Sequence, residues 1–234
     1  MVFNQNKTQN PVSLISEVGT SLYPVITSKY FYAGLLALIS GAALNFASQT
    51  YLHNYMSEGK TLPMLSDMIL DNLPVIDLSL LYDIFCIVVF TLVLIYIVRK
   101  KDYNRIPFIL VMSGLFFITR GVFIVLTPFG NPPEFMGSDP LFNGFAKFEL
   151  GVYPSGHVGN SFLLLLLVND KFFKCLISIC LAVIIFSLFL SHGHYSIDIL
   201  SGFLFAYAIR AFGEKHLDMF DLGNANRKKP VNNT

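Results

Sequence analysis

CLISICLAVIIFSLFLSHGHYSID (residues 175–198) runs sixteen residues without a charge, then presents two histidines and an aspartate within eight. The first part is apolar on every face, which suits a helix surrounded by lipid or buried in a bundle and not one lying half in water. Its polar end falls where one such block closes, at about residue 192, and the next opens, at about 194. The reading of this stretch decides the fold: an apolar block turning back on itself at a cluster of ionisable residues.

The whole chain follows the same pattern. Of its 234 residues 54% are hydrophobic and only 13% charged, too little charge to cover a soluble domain of this length. Six blocks approach the roughly 20 residues that a spanning helix needs: 30–48, 80–98, 106–126, 155–169, 173–192 and 194–212. The expected fold is therefore all-α, a polytopic membrane protein with a six-transmembrane-helix bundle. A cytoplasmic N-terminal segment (1–29) and a cytoplasmic tail (214–234) flank one membrane domain at 30–213. The first 29 residues lack the basic, apolar and small-residue succession of a cleaved signal peptide. Cys86, Cys175 and Cys180 all fall inside predicted spans and have neither metal-ligand spacing nor a disulfide framework. A net charge of +1 gives no reason to expect nucleic acid, and homo-oligomerisation stays open.

With six spans both ends of the chain and the links 99–105 and 170–172 share one side. Thirteen of the sixteen lysines and arginines lie there, against Lys60 and Lys147 opposite and Arg120 within a span. Positive residues favour the cytoplasmic side, so both termini are expected there. Two loops, 49–79 and 127–154, then face the exoplasmic, periplasmic or lumenal compartment. Residues 61–79 interleave apolar side chains with aspartates and read as an amphipathic stretch at the interface. The 28-residue loop 127–154 is too long for a plain connector and is expected to cover something.

Ionisable groups inside spans are costly and mark functional sites. Arg120 sits in the outer half of span three, His157 opens span four within YPSGHVGN (153–160), and His194 and Asp198 open span six. Three segments thus bring an arginine, a histidine and a His/Asp pair to one depth. His194 and Asp198, four apart, share a helix face, so the carboxylate can fix the imidazole tautomer and make its other nitrogen a better nucleophile. A second histidine supplies the acid for a leaving group, and a guanidinium fork suits phosphate. The set fits phosphoryl transfer through a histidine nucleophile. Each residue also has a plain reading: Arg120 as an interfacial anchor, His157 beside a helix cap at Ser155, and His194–Asp198 as a structural pair. All three would have to hold at once to remove the site. His192 belongs at the rim on helical geometry, and His53 and His216 are loop residues. No metal site is expected, since no HExxH or paired-cysteine spacing occurs.

PSGH at 154–157 and HYSID at 194–198 resemble the second and third signature motifs of the type-2 phosphatidic acid phosphatase superfamily. Within it the sequence is similar to the sphingomyelin synthase family, through YPSGH, HGHYSID, ITRGVFIVLTPFG around Arg120, and LPMLSDMILDNLP at 62–74. The resemblance implies a membrane headgroup phosphotransferase without cofactor. His194 would attack the phosphorus of a phospholipid donor, Asp198 would orient it, and His157 would protonate the departing diacylglycerol. The headgroup would then pass to ceramide or diacylglycerol as acceptor. Arg120, Ser155, Gly156, His192 and Tyr195 carry over as substrate-binding positions. The Ser-Arg that phosphatases of the superfamily place before the third-motif histidine is missing, Leu188 standing six before His194, and Arg120 precedes Gly121 instead of a proline. Both features favour the transferase branch. Pro154 and the Glu-Leu-Gly at 149–151 depart from that branch, so a lipid phosphatase or phospholipase-C-type hydrolase with the same site is the alternative. A non-catalytic lipid-binding protein is a third reading.

Overall fold

The computed structural model describes residues 21–135, 150–151 and 153–223. The expected features at 1–20, at 136–149 (most of the long loop, with Lys147) and at 224–234 lie outside the described residues. Among the described residues a short helical stretch at 21–26 is followed by six longer helices: α1 Lys29–Ser57, α2 Ser79–Lys100, α3 Ile106–Leu126, α4 Gly156–Leu167, α5 Lys171–Leu190 and α6 Ser196–His216. Strands are absent among the described residues. Five of the six helices are long and apolar enough to cross a membrane, which fits an integral membrane protein; α4, at 12 residues, is shorter.

Helix boundaries have local causes. Ser28 caps α1 by accepting from Phe31 N, and Pro107 sits in the first turn of α3, where a missing N–H costs nothing. Asp170 caps α5 by accepting from Phe172 N and Phe173 N. Its other oxygen pairs with Lys100 at the end of α2, 2.6 Å away. Helix α1 differs from expectation: it runs nine residues past the apolar block 30–48, to Ser57. The apolar block ends where greasy side chains end, but Gln49–Ser57 keeps the helical ladder with polar and aromatic side chains outward.

Helix α1 lies along α3, α2 along α5 and α4 along α6. Small residues permit the first pairing. A Cβ on Gly41 would stand 2.6 Å from Gly114 O, so these backbones touch as they do in close-packed membrane helices. Polar side chains tie the seam: Asn45 donates to Phe117 O and Ser48 to Gly121 O. Helix α4 touches α2, α3, α5 and α6 and forms the centre of the bundle.

The short central helix sets the depth of everything that follows. Twelve residues at about 1.5 Å each span about 18 Å, against a hydrocarbon core of roughly 30 Å. The C-terminal end of α4 reaches the level of Asp170 and Lys100, where Arg99, Lys171 and Lys174 also gather. Its N-terminal end therefore stops inside the bundle. Residues 58–78 and 127–135 pack over the neighbouring start of α6, where the Tyr195 hydroxyl accepts from Leu65 N and donates to Asn131 O. Leu70 is buried there beside Tyr195 and Phe129.

Candidate active site

The N-terminal turn of α4 begins at Ser155, fully buried, whose side chain accepts from Val158 N and whose own N–H donates to Asp198 O at 3.1 Å. This places α4 beside α6 at their N-terminal ends. The crossing is close because both helices carry glycine: a Cβ on Gly202 would lie 3.1 Å from Gly159 N and from Ser155 O. The result is that His157 and His194 face each other with ring centroids 5.7 Å apart.

Each histidine has its own carboxylate. His194 Nδ1 donates to Asp198 Oδ2 at 3.3 Å, and the same oxygen accepts Tyr195 N at 2.9 Å as part of a capping box on α6. Both side chains are buried. His157 Nε2 lies 3.1 Å from Asp83 Oδ1 on α2, and the ring stacks edge-on against buried Tyr82. Asp83 was not among the sequence-based candidates. Yet it is the one acidic residue besides Asp198 inside any predicted span, and that was signal enough to find it. Asp83 Oδ2, His157 Nδ1 and Asp198 Oδ1 are buried without a protein partner. Polar atoms left so in a dry place are groups a polar substrate can complete.

Arg120 lies two turns before the end of α3. Its Nε donates to Pro154 O at 2.9 Å, Nη2 to Gly151 O at 2.7 Å and Nη1 to Asn45 Oδ1. The fork therefore holds the strand of chain entering α4, and a Cβ on Gly156 would stand 3.1 Å from Nε. Arg120, Gly156 and His157 line a cavity of about 300 Å³ together with Gln49, Cys86, Asn160 and Ser161. Asn45 and Gln49 lie on the helical continuation of α1, and neither was a sequence-based candidate.

Two expected substrate contacts turn toward the covering segments instead. Tyr195 is fully buried; its hydroxyl donates to Asn131 O and accepts from Leu65 N, each at 3.1 Å. His192, at φ +49°, places Nδ1 3.2 Å from Pro133 O. The structure thus brings together His157, His194, Asp198, Arg120, Ser155 and Gly156, while His192 and Tyr195 fasten the cover. No group of three His, Cys, Asp or Glu among the described residues is placed to hold a metal ion.

A second cavity, about 520 Å³ and almost wholly apolar, runs between α1, α2 and α3. It shares Phe117, Asn160 and Leu164 with the polar cavity, so the two meet at those side chains. A cavity lined by Arg120 and His157 beside a hydrocarbon-lined one suits a lipid ester.

In comparison with known families, residues 154–215 match the family model described as PAP2 superfamily C-terminal. The matched segment holds both histidine motifs and supports the PAP2 superfamily, hence a lipid phosphatase or phosphotransferase type of membrane enzyme. No curated protein matches the chain.

Proposed function

We propose that the chain is a sphingomyelin-synthase-like headgroup phosphotransferase, moving a phospho-alcohol from a glycerophospholipid to ceramide or another lipid alcohol. The observation that carries this reading is the facing pair of histidines, each on its own carboxylate, with His157 lining the polar cavity that adjoins the apolar one at Phe117, Asn160 and Leu164. With Nδ1–H held by Asp198, the Nε2 lone pair of His194 is free to form a bond to phosphorus. The P–O bond to diacylglycerol breaks as His157 gives that oxygen a proton. In the second half His157 takes the acceptor's hydroxyl proton, the new oxygen bonds to phosphorus, and the N–P bond breaks.

Charge favours a diester over a monoester. Among the described residues Arg120 is the only lysine or arginine lining the polar cavity, and it already serves Pro154 O, Gly151 O and Asn45. Asp198 adds negative charge near it, and Asp83 adds negative charge beside His157. One shared cation suits a phosphodiester monoanion better than a phosphate monoester dianion. The burial of His194 favours transfer over hydrolysis, since water must be kept from the phosphohistidine. Six spans, cytoplasmic termini and a site on the opposite face complete the proposal. Its support is the gathering of Arg99, Lys100, Lys171 and Lys174 at the end of the bundle away from the histidines.

The test is purified protein in vesicles of headgroup-labelled phosphatidylcholine and phosphatidylethanolamine, with and without ceramide. A labelled sphingolipid formed only with ceramide is the expected product. Label released to water regardless of ceramide would replace the transferase with a hydrolase.

A further inference from the structure

Asp67 lies in the segment between α1 and α2, far in sequence from either histidine, and has no place in the chemistry described above. Its carboxylate accepts four hydrogen bonds. Two are local, from Ile69 N at 3.0 Å and Leu70 N at 3.3 Å. The other two cross to the start of α6: Ser196 N at 2.6 Å and Ser196 Oγ at 2.7 Å. Partial burial by itself would raise the carboxyl's pKa, but the bonds from Ser196, Ile69 and Leu70 outweigh it and hold the group below its ordinary value. Asp67 is thus an anion throughout the neutral range, placed at the positive end of the α6 dipole.

The next residue back is gripped by the same segment, since Leu65 N donates to the Tyr195 hydroxyl at 3.1 Å. Residues 195 and 196 are therefore held from outside by residues 65 and 67. Tyr195 is the one residue between His194 and α6, and Ser196 opens the turn of α6 that carries Asp198. The His194 Nδ1–Asp198 contact, at 3.3 Å, is a long one, and its geometry depends on the backbone of those two residues.

We propose that Asp67 is a positioning residue for His194: by taking the N–H and hydroxyl of Ser196 it fixes the link between the imidazole and Asp198, and so holds His194 in its Nδ1–H tautomer. The role rests on the functional reading only for its effect on turnover. Its effect on the imidazole stands apart from it.

Two variants remove the contact in different ways. Asp67→Ala deletes the acceptor. Ser196→Pro deletes both donors while keeping the helix start, because proline is favoured at the first helical position and Tyr195, at φ −64° and ψ 154°, already has the extended backbone that a following proline requires. Asp71→Ala, at an exposed acid of the same segment, is the control. The full chain, labelled with nitrogen-15 histidine in lipid nanodiscs, reports the His194 tautomer directly. In the same preparation, label transfer from phosphatidylcholine and phosphatidylethanolamine to ceramide reports kcat and KM. Both variants are expected to populate a second His194 tautomer and to lower kcat at least tenfold with KM within twofold, while Asp71→Ala changes neither. A His194 signal unmoved in both variants overturns the proposal, even where the melting temperature falls. If the unaltered chain turns over neither donor, the functional reading falls and the spectra alone decide, a shifted His194 supporting the role and an unmoved one ending it.

Discussion

Asp83 and His157 meet across α2 and α4, Oδ1 to Nε2 at 3.1 Å, and in the proposed reaction this contact would orient the second histidine as the acid. The ring nitrogen left over, Nδ1, is buried and without a protein partner, so it is the atom free to carry the proton to a leaving oxygen. Asp83→Asn keeps the shape and removes the charge. Turnover of a lipid donor, whose alkoxide must be protonated, is expected to fall about 100-fold, at the low end of what general acid catalysis contributes. A nitrophenyl phosphodiester, whose leaving group needs no proton, should lose far less. Equal losses on the two donors would show that Asp83 serves the fold and not the acid.

Asp198 has two duties, toward His194 Nδ1 and toward Tyr195 N. Both contacts fall on Oδ2, so Asp198→Asn removes the charge that favours the Nδ1–H tautomer, and an NH₂ standing at that position loses the Tyr195 N bond and forces the His194 proton to the other nitrogen. The expected loss is roughly 10³- to 10⁴-fold in kcat, the size found when a catalytic histidine is held in the wrong tautomer. His194→Ala should reduce turnover to background and abolish any acid-labile phospho-enzyme. Thermal unfolding of both variants in detergent, measured alongside, should stay close to that of the unaltered chain. Full activity in His194→Ala would make the nucleophile assignment wrong.

The glycine contact between α4 and α6 sets how far apart the histidines stand. A methyl group on Gly202 would press on backbone atoms of Gly159 and Ser155, which cannot rotate away. Gly202→Ala is expected to part the helices by a few tenths of an ångström and to cost about 1–3 kcal/mol of stability. Because a misplacement of about 1 Å in a reacting pair can cost about 100-fold, kcat should fall several-fold as well. Parallel melting and rate measurements check both halves, and unchanged kcat in a destabilised protein would mean that the histidine spacing tolerates the shift.

The spans were legible because bilayer-facing helices advertise themselves in uninterrupted apolar runs: 80–98 became Ser79–Lys100 and 106–126 became Ile106–Leu126. What such runs record is where lipid contact stops, not where the hydrogen-bond ladder stops. So α1 continued to Ser57 unannounced, and Asn45, inside the apolar block, gave no hint of its bond to Arg120. The histidine motifs were legible from residue type and depth together. Asp83 was equally legible by depth, standing alone in LLYDIFC (80–86 region of the second block), but it has no neighbour at helical spacing to mark it. The bonds of Asp67 to Ser196 and of Leu65 to Tyr195 join segments some 130 residues apart, and no local pattern encodes such pairings.

The apolar cavity between α1, α2 and α3 makes a prediction about the substrate's tail. Leu110 lines it on α3, opposite Val93 and Leu94 on α2, and Phe117 and Leu164 stand where it joins the polar cavity. If one acyl chain of the donor or acceptor lies there, its outer methylenes pass Leu110. Leu110→Trp should shorten the slot, leaving the reacting end untouched. Each methylene denied burial costs about 0.8 kcal/mol, about fourfold in kcat/KM. Long-chain lipids should therefore lose activity in steps while short-chain analogues keep theirs, and headgroup preference should not change. Competition between chain lengths in one vesicle population, read by mass spectrometry of the products, measures this directly. A uniform loss across all chain lengths would place the tail elsewhere in the bundle and leave the cavity without a part in the reaction.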